Sequence, residues 1–356
     1  MEEAFKLKQS TRTIWQGVAT LALSGPLHNV NINVGGRDTI IEIAGHKRYV
    51  RKLATKVNGN RLEIKYNGPP ERAYDDNPYT EWAMIRYYLR HHKTLRIPGW
   101  NQTPHLTITV PEGTALELDG VEGNNVFIGN THGPLVLRPS RQTSCNVGTV
   151  AACTLDLARF ARVVVERVAG NCQITTVANT SVKICDGTID QLGITNTLGA
   201  IHVSAAVKHS TVTLRGGSVR LNDQLTLEMD NRPGSERSES LNITVTDRGI
   251  LHANSAVVDS ASLVLEGGSQ VWLGSVTQKL VAMLGASTKM HVGQPAGSTR
   301  PAIEAQVHVQ PGATLEVDAQ IVTGKIKVDR GATMIVPVEI DNFAVDVSGY
   351  GSVQVA

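Results

Sequence analysis

The chain has 356 residues, with 34 basic against 32 acidic side chains and a formal charge of +2, so its balance gives no general argument for nucleic acid or an anionic membrane as partner. Apolar residues make up 41% and aromatics 4%, with 33 glycines between them, which suits strands lined by small branched side chains rather than a core filled by rings. Met1–Pro26 lacks a basic stretch followed by an apolar core, and no later run reaches the roughly 18 apolar residues of a membrane span; the expectation from the chain as written is a cytoplasmic protein.

After a short polar lead, Val18–Leu23, Val30–Val34 and Thr39–Ile43 read as strands, separated by Ser24-Gly25-Pro26 and Gly35-Gly36. Lys47–Val57 fits one helical turn or a further strand, and Arg61–Tyr66 alternates cleanly. In the block Leu106–Leu137, Leu106, Ile108 and Val110 alternate with Thr107 and Thr109. Pro111 and Gly113 make a turn, and Leu116 and Leu118 resume the alternation. This period of two places one set of side chains on a buried sheet face.

The succession ATLALSGPLHNVNINVGGRDTIIEIAG, VRKLATKVNGNRLEIKY and LTITVPEGTALELDGVEGNNVFIG resembles the auto-transporter adhesin head domain, also called the GIN domain. The ending FAVDVSGYGSVQV is similar to that family's rung of the form VxVSGxGxVxV. The resemblance covers about the first 65 residues and Leu106 to roughly Arg138. It implies a right-handed β-solenoid, a cell-surface location and an adhesin role, with no catalytic residues to carry over. This chain departs from the pattern in showing no signal peptide and in carrying an insertion.

The insertion runs from Asn67 to Pro104 and holds Tyr74, Tyr79, Trp82, Tyr87, Tyr88 and Trp100, whereas only five aromatics follow Trp100. Asn77-Pro78 offers an N-cap and a first-turn proline for a helix of about Tyr79–His92. Trp82, Ile85, Tyr88 and Leu89 fall on one stripe, with Arg86, Arg90 and Lys93 mostly off it. Two readings compete: a cap over the end of the strand stack, or a docking element in which Trp82, Arg86, Tyr87, Tyr88 and Arg90 hold a protein partner or a lipid interface.

Beyond Leu106 the chain aligns on itself. Ser210–Leu221 matches Ala261–Leu273 around Gly216-Gly217 and Gly267-Gly268, and Gly312–Ile321 matches Gly331–Ile340. An offset of about 20 residues corresponds to one coil of a β-helix. Interior candidates are Val163, Val165, Ile174, Ile184, Ile194, Val203, Val212 and Leu214. The expected organisation is N-terminal strands over 1–66, the helical insertion over 67–105 and a repeat body over 106–356, with fold class all-β: a right-handed β-solenoid with one short helical, aromatic-rich insertion.

The chain contains no GxxxxGK[ST], HExxH or GxSxG. Asp156, Glu166, Asp186 and Asp190 are spaced so that some of them could share one face, where a β-helix carbohydrate enzyme carries its acid and base. His91-His92 lacks a nearby carboxylate to complete a metal shell, and His202, His252, His291 and His308 read as single solvent-facing residues. Cys145, Cys153, Cys172 and Cys185 carry no metal spacing; they read as small buried hydrophobes, with a Cys153–Cys172 disulfide or stacked pair as the alternative. The resulting expectation is a non-catalytic structural or interaction scaffold without cofactor or metal. It would bind itself or another protein, with glycan as a possible ligand, no nucleic acid, and membrane contact only through the insertion. The alternatives are a surface adhesin-like module for glycan or protein and a carbohydrate-active enzyme.

Overall fold

The computed structural model describes residues 8–27, 29–46, 50–68, 104–123, 125–221, 238–294, 301–337 and 345–355. Their elements are all strands, and the chain divides into two compact units, Met1–Val147 and Gly148–Ala356. The Tyr79–His92 segment and the rest of 69–103 lie outside the described residues.

In the first unit, Thr20–Ser24 pairs in parallel with both Arg61–Tyr66 and Ala115–Asp119. Asn29–Val34 pairs likewise with His105–Val110 and Asn125–Ile128. Antiparallel strands finish the ladders: Lys8–Trp15 on Thr39–His46, and Leu53–Asn58 on Arg61–Tyr66. The segment read as helical turn or strand is therefore a strand from Leu53. Leu106, Ile108, Val110, Leu116 and Leu118 are buried, as their alternation predicts.

The second unit is built from parallel pairs whose partners lie about twenty residues apart. Val163 faces Val182, Cys172 faces Leu192, Leu251 faces Val271, and Thr314 faces Thr333. All eight interior candidates are buried. Two long strands change the architecture. Ser181–Thr197 pairs through its first residues with Ala200–Val203 and through its last with Ala206–Arg215. Those two ladders continue into Ser218–Leu221 and Ser238–Thr246, and Ile250–Leu265 takes up both. The hydrogen-bonded ladder thus closes on itself as a parallel β-barrel, with further strands outside it.

The expected right-handed solenoid with a helical insertion is accordingly corrected to an all-β, closed parallel barrel. The physical reason lies in the long strands. The stretch Cys185–Asp190 has one glycine and no proline, so the chain bends at Gly187, φ 124°, without leaving the strand.

A recurrent turn keeps the strands in register. Thr114, Thr143, Thr180 and Thr288 donate their hydroxyls to the carbonyls of Pro111, Ser140, Val177 and Gly285 at 2.7, 2.9, 2.7 and 2.7 Å. Ser269 does the same to Glu266, while Ala313 and Ala332 hold that place through their backbone N–H alone. The residue before each has positive φ, as a turn of this kind requires: Gly113, Gln142, Asn179, Ser287, Gly268, Gly312 and Gly331. One interior row turns polar at Thr176 and Asn196, between Leu157 and Leu214. Asn196 accepts from Thr176 Oγ1 at 2.6 Å and from Gly199 N at 2.8 Å, and donates to Gly199 O at 2.9 Å, so its buried amide is satisfied.

Candidate binding face

In a parallel ladder, residues in register stand about 4.8 Å apart and point the same way. On the strands Ser181–Thr197, Ala200–Val203, Ser218–Leu221, Ile250–Leu265, Gln270–Leu284 and Lys289–Val292, the register aligns Lys183, His202, Arg220, His252, Trp272 and His291. Their sequence neighbours Val182, Ile201, Val219, Leu251, Val271 and Met290 are buried, so alternation turns this row outward. Every member carries a side-chain N–H donor.

The row has defined internal contacts. The rings of His252 and Trp272 stack with centroids 4.6 Å apart and planes 12° from parallel, so one face of the indole is covered while its edge points out. His202 Nε2 lies 3.2 Å from Ser204 Oγ. Next along the register after His291 comes Glu316, with His291 Nδ1 at 3.1 Å from its Oε2. On the side before Lys183 the register meets Val164. The donor row is therefore bounded by a carboxylate at one end and an apolar residue at the other. Ser181, Ala200 and Ser218 form the adjoining row beside Lys183, His202 and Arg220, and that row continues through Ile250, Gln270 and Lys289, so the flank is low along its first half only.

The second outward face of this unit is uncharged over most of its length. Thr154, Gln173, Gly193, Thr211, Asn242 and Ser262 form one register row, and Thr175, Thr195, Thr213 and Thr244 form the next. A groove of about 440 Å³ lies here, with Thr154, Gln173, Gly193, Thr195, Thr211 and Thr213 in its lining and no carboxylate among its walls.

The carboxylates considered for catalysis lie on three strands, with Glu166 and Asp186 both acting on Arg167. Asp156 sits on the Ala152–Leu157 ladder and Glu166 on the Arg162–Ala169 ladder. Asp186 is bound by Arg167, whose Nε is 3.0 Å away, and accepts from Gly187 N at 2.7 Å. These contacts, the guanidinium first, hold its carboxyl below the usual range. Asp190 is paired with Lys208 Nζ at 2.9 Å. Among the described residues no three metal-ligating side chains cluster, and no helix is long and apolar enough to cross a membrane.

Trp82, Arg86, Tyr87, Tyr88 and Arg90, the expected docking residues, and His91-His92 lie outside the described residues. Sequence reasoning missed the donor row because it took its histidines one at a time. A signal was present: in the self-alignment of Ser210–Leu221 with Ala261–Leu273, Arg220 and Trp272 occupy the same place.

No family model and no curated protein matches the chain, so the GIN-domain resemblance has no family match behind it. Among solved structures it is similar to a "putative adhesin" from Parabacteroides merdae, at 10% identity and a TM-score of 0.31 over 98% of this chain and 96% of that one. It is also similar to a "putative lipid binding protein" from Parabacteroides distasonis, at 10% identity and a TM-score of 0.31 over 98% and 96%. A third, a "putative adhesin" from Bacteroides fragilis, has 10% identity and a TM-score of 0.25 over 98% and 97%.

Proposed function

We propose that this chain is a non-catalytic binding module that holds an extended ligand along the outer face of its parallel strands. The observation that carries the reading is the register row Lys183, His202, Arg220, His252, Trp272 and His291. Six donors in line, on strands fixed by backbone hydrogen bonds, make a long shallow recognition surface rather than an enclosed pocket. The engagement of Asp186 and Asp190 in ion pairs and the absence of a carboxylate from the groove walls support binding over acid–base chemistry. A cell-surface position belongs to this reading, in line with the GIN-domain resemblance.

The test offers a panel of polysaccharides and extracellular proteins to the immobilised full chain and measures the length of each recovered polymer. Retention with unchanged length supports the reading. Shortened polymer overturns its non-catalytic part, and no retention by any panel member overturns the whole.

A second reading rests on a different observation. In Ser352–Val355 all four residues are exposed, and Tyr350 and Val355 reach 91% and 60% exposure. Its described pairing is with Thr333–Val336. Such an edge is a template for a second copy of the chain. Light scattering over a range of concentrations tests it: association abolished by Val353→Lys supports the reading, and a concentration-independent monomer overturns it.

A further inference from the structure

Resting on the binding-module reading above, we propose that the row Lys183, His202, Arg220, His252, Trp272 and His291 is a site for a linear anionic polysaccharide with a carboxylate on each sugar. Three observations narrow the ligand to this class. First, the chemistry is uniform: ammonium, guanidinium, imidazole and indole N–H groups donate and none of them carries a negative charge. A ligand matching the whole row must present acceptors repeatedly, and guanidinium and ammonium favour anionic ones.

Second, the geometry is periodic. Register pairing repeats the donors at about 4.8 Å, over the six strands that carry Lys183 to His291. In an extended uronic-acid polymer successive sugars turn about the chain axis, so the carboxylates on one side meet the row at roughly every second or third donor. The small Ser181, Ala200 and Ser218 beside Lys183, His202 and Arg220 let a bulky pyranose chain lie close to the sheet over that half of the row, and the same flank brings a further cation, Lys289, beside His291. Glu316 ends the acceptor-friendly stretch by presenting a carboxylate next to His291, which defines the footprint.

Third, the aromatic is half covered against the competing polyanion. Single-stranded nucleic acid is held by bases stacking on open ring faces. Here one face of Trp272 is covered by His252, with ring centroids 4.6 Å apart, which leaves at most the other face for a base.

The experiment titrates the full chain with polygalacturonate, with fully methyl-esterified polygalacturonate and with poly(dT). The esterified polymer has the same sugar chain with its carboxylates masked. The expected result is that polygalacturonate binds at least tenfold more tightly than either comparator, that rising salt weakens it, and that Lys183→Ala combined with Arg220→Ala reduces affinity at least tenfold. Thr211→Ala with Thr213→Ala, on the other face, should leave it unchanged, and circular dichroism confirms that both variants are folded. Equal binding of the esterified polymer, equal or tighter binding of poly(dT), or an unaffected double variant overturns the proposal. If polygalacturonate fails while another panel member binds in a manner sensitive to the double variant, this inference falls and the binding-module reading stands. If nothing binds, both fall.

Discussion

Cys153 and Cys172 face each other on adjacent parallel strands with their Sγ atoms 2.8 Å apart, both buried. The hydrogen bond between them, with burial, pushes the Cys172 thiol well up, and burial alone pushes Cys145 up to about 12. Raised thiols give little thiolate, but these two sulfurs are already in contact, so a diazene-type oxidant that takes two electrons and two protons should join Cys153 to Cys172 and leave Cys145, which faces Val126, reduced. Mass spectrometry of the digested protein checks this by the loss of two hydrogen atoms from that pair of peptides. The crosslink is expected to stabilise the fold by about 3 kcal/mol at most, read by denaturant titration.

Gly187 marks the bend inside the long strand. A Cβ there would lie 1.9 Å from the carbonyl oxygen of Val168, at φ 124°. Gly187→Ala should cost about 3 kcal/mol or more, since backbone must move. Gly331, with φ 82° and open space around its Cβ position, should cost only about 1 kcal/mol as alanine. Urea unfolding of the two variants side by side gives the comparison.

At several turns a side chain stands where glycine is easier, Phe160 and Ser287 among them. Phe160 has φ 62° and is 47% exposed, and Ser287 has φ 61°. Phe160→Gly and Ser287→Gly should each relieve about 1 kcal/mol of left-handed backbone cost, reduced by the added freedom of the unfolded chain. A raised thermal midpoint in either variant is the expected reading.

Acid should weaken the fold through specific pairs. Arg61 makes a bidentate contact with Glu117 at 2.6 and 2.7 Å, which holds the Glu117 carboxyl below its usual range. Arg167 does the same to Asp186. A carboxyl lowered in the folded state contributes stability that is present above its ordinary value and is lost as pH falls through the lowered one. Arg61→Met should therefore move the Glu117 titration upward, seen by carbon NMR of its carboxyl, and shift the acid unfolding midpoint to higher pH. The Arg61 and Glu117 side chains are both more than a third exposed, so solvent screening should keep the effect on overall stability small.

Much of the local structure was legible. Leu106, Ile108 and Val110 announce a half-buried strand by alternation alone, and the match of Gly312–Ile321 with Gly331–Ile340 became a direct strand pairing, Thr314 to Thr333. What alternation cannot reveal is whether a strand stops. In Ser181–Thr197 the alternation of burial lapses around Gly187, yet the chain bends there and keeps its hydrogen bonds. That continuity joins two ladders and closes the barrel. The donor row was hidden for a related reason: Lys183 and His291 are far apart in sequence, and only the register of every strand between them makes them members of one line.

The separation of inward and outward positions has an evolutionary consequence. Spacing along the outer face is set by main-chain hydrogen bonds and by the Thr, Ser or Ala that closes each turn, none of which depends on what stands at 183, 202, 220, 252, 272 or 291. Those six places can change charge, size or hydrogen-bonding sense while Val182, Ile201, Val219, Leu251, Val271 and Met290 keep the interior filled. A scaffold of this kind can exchange the polymer it recognises by rewriting one column of side chains, at little cost to its own stability.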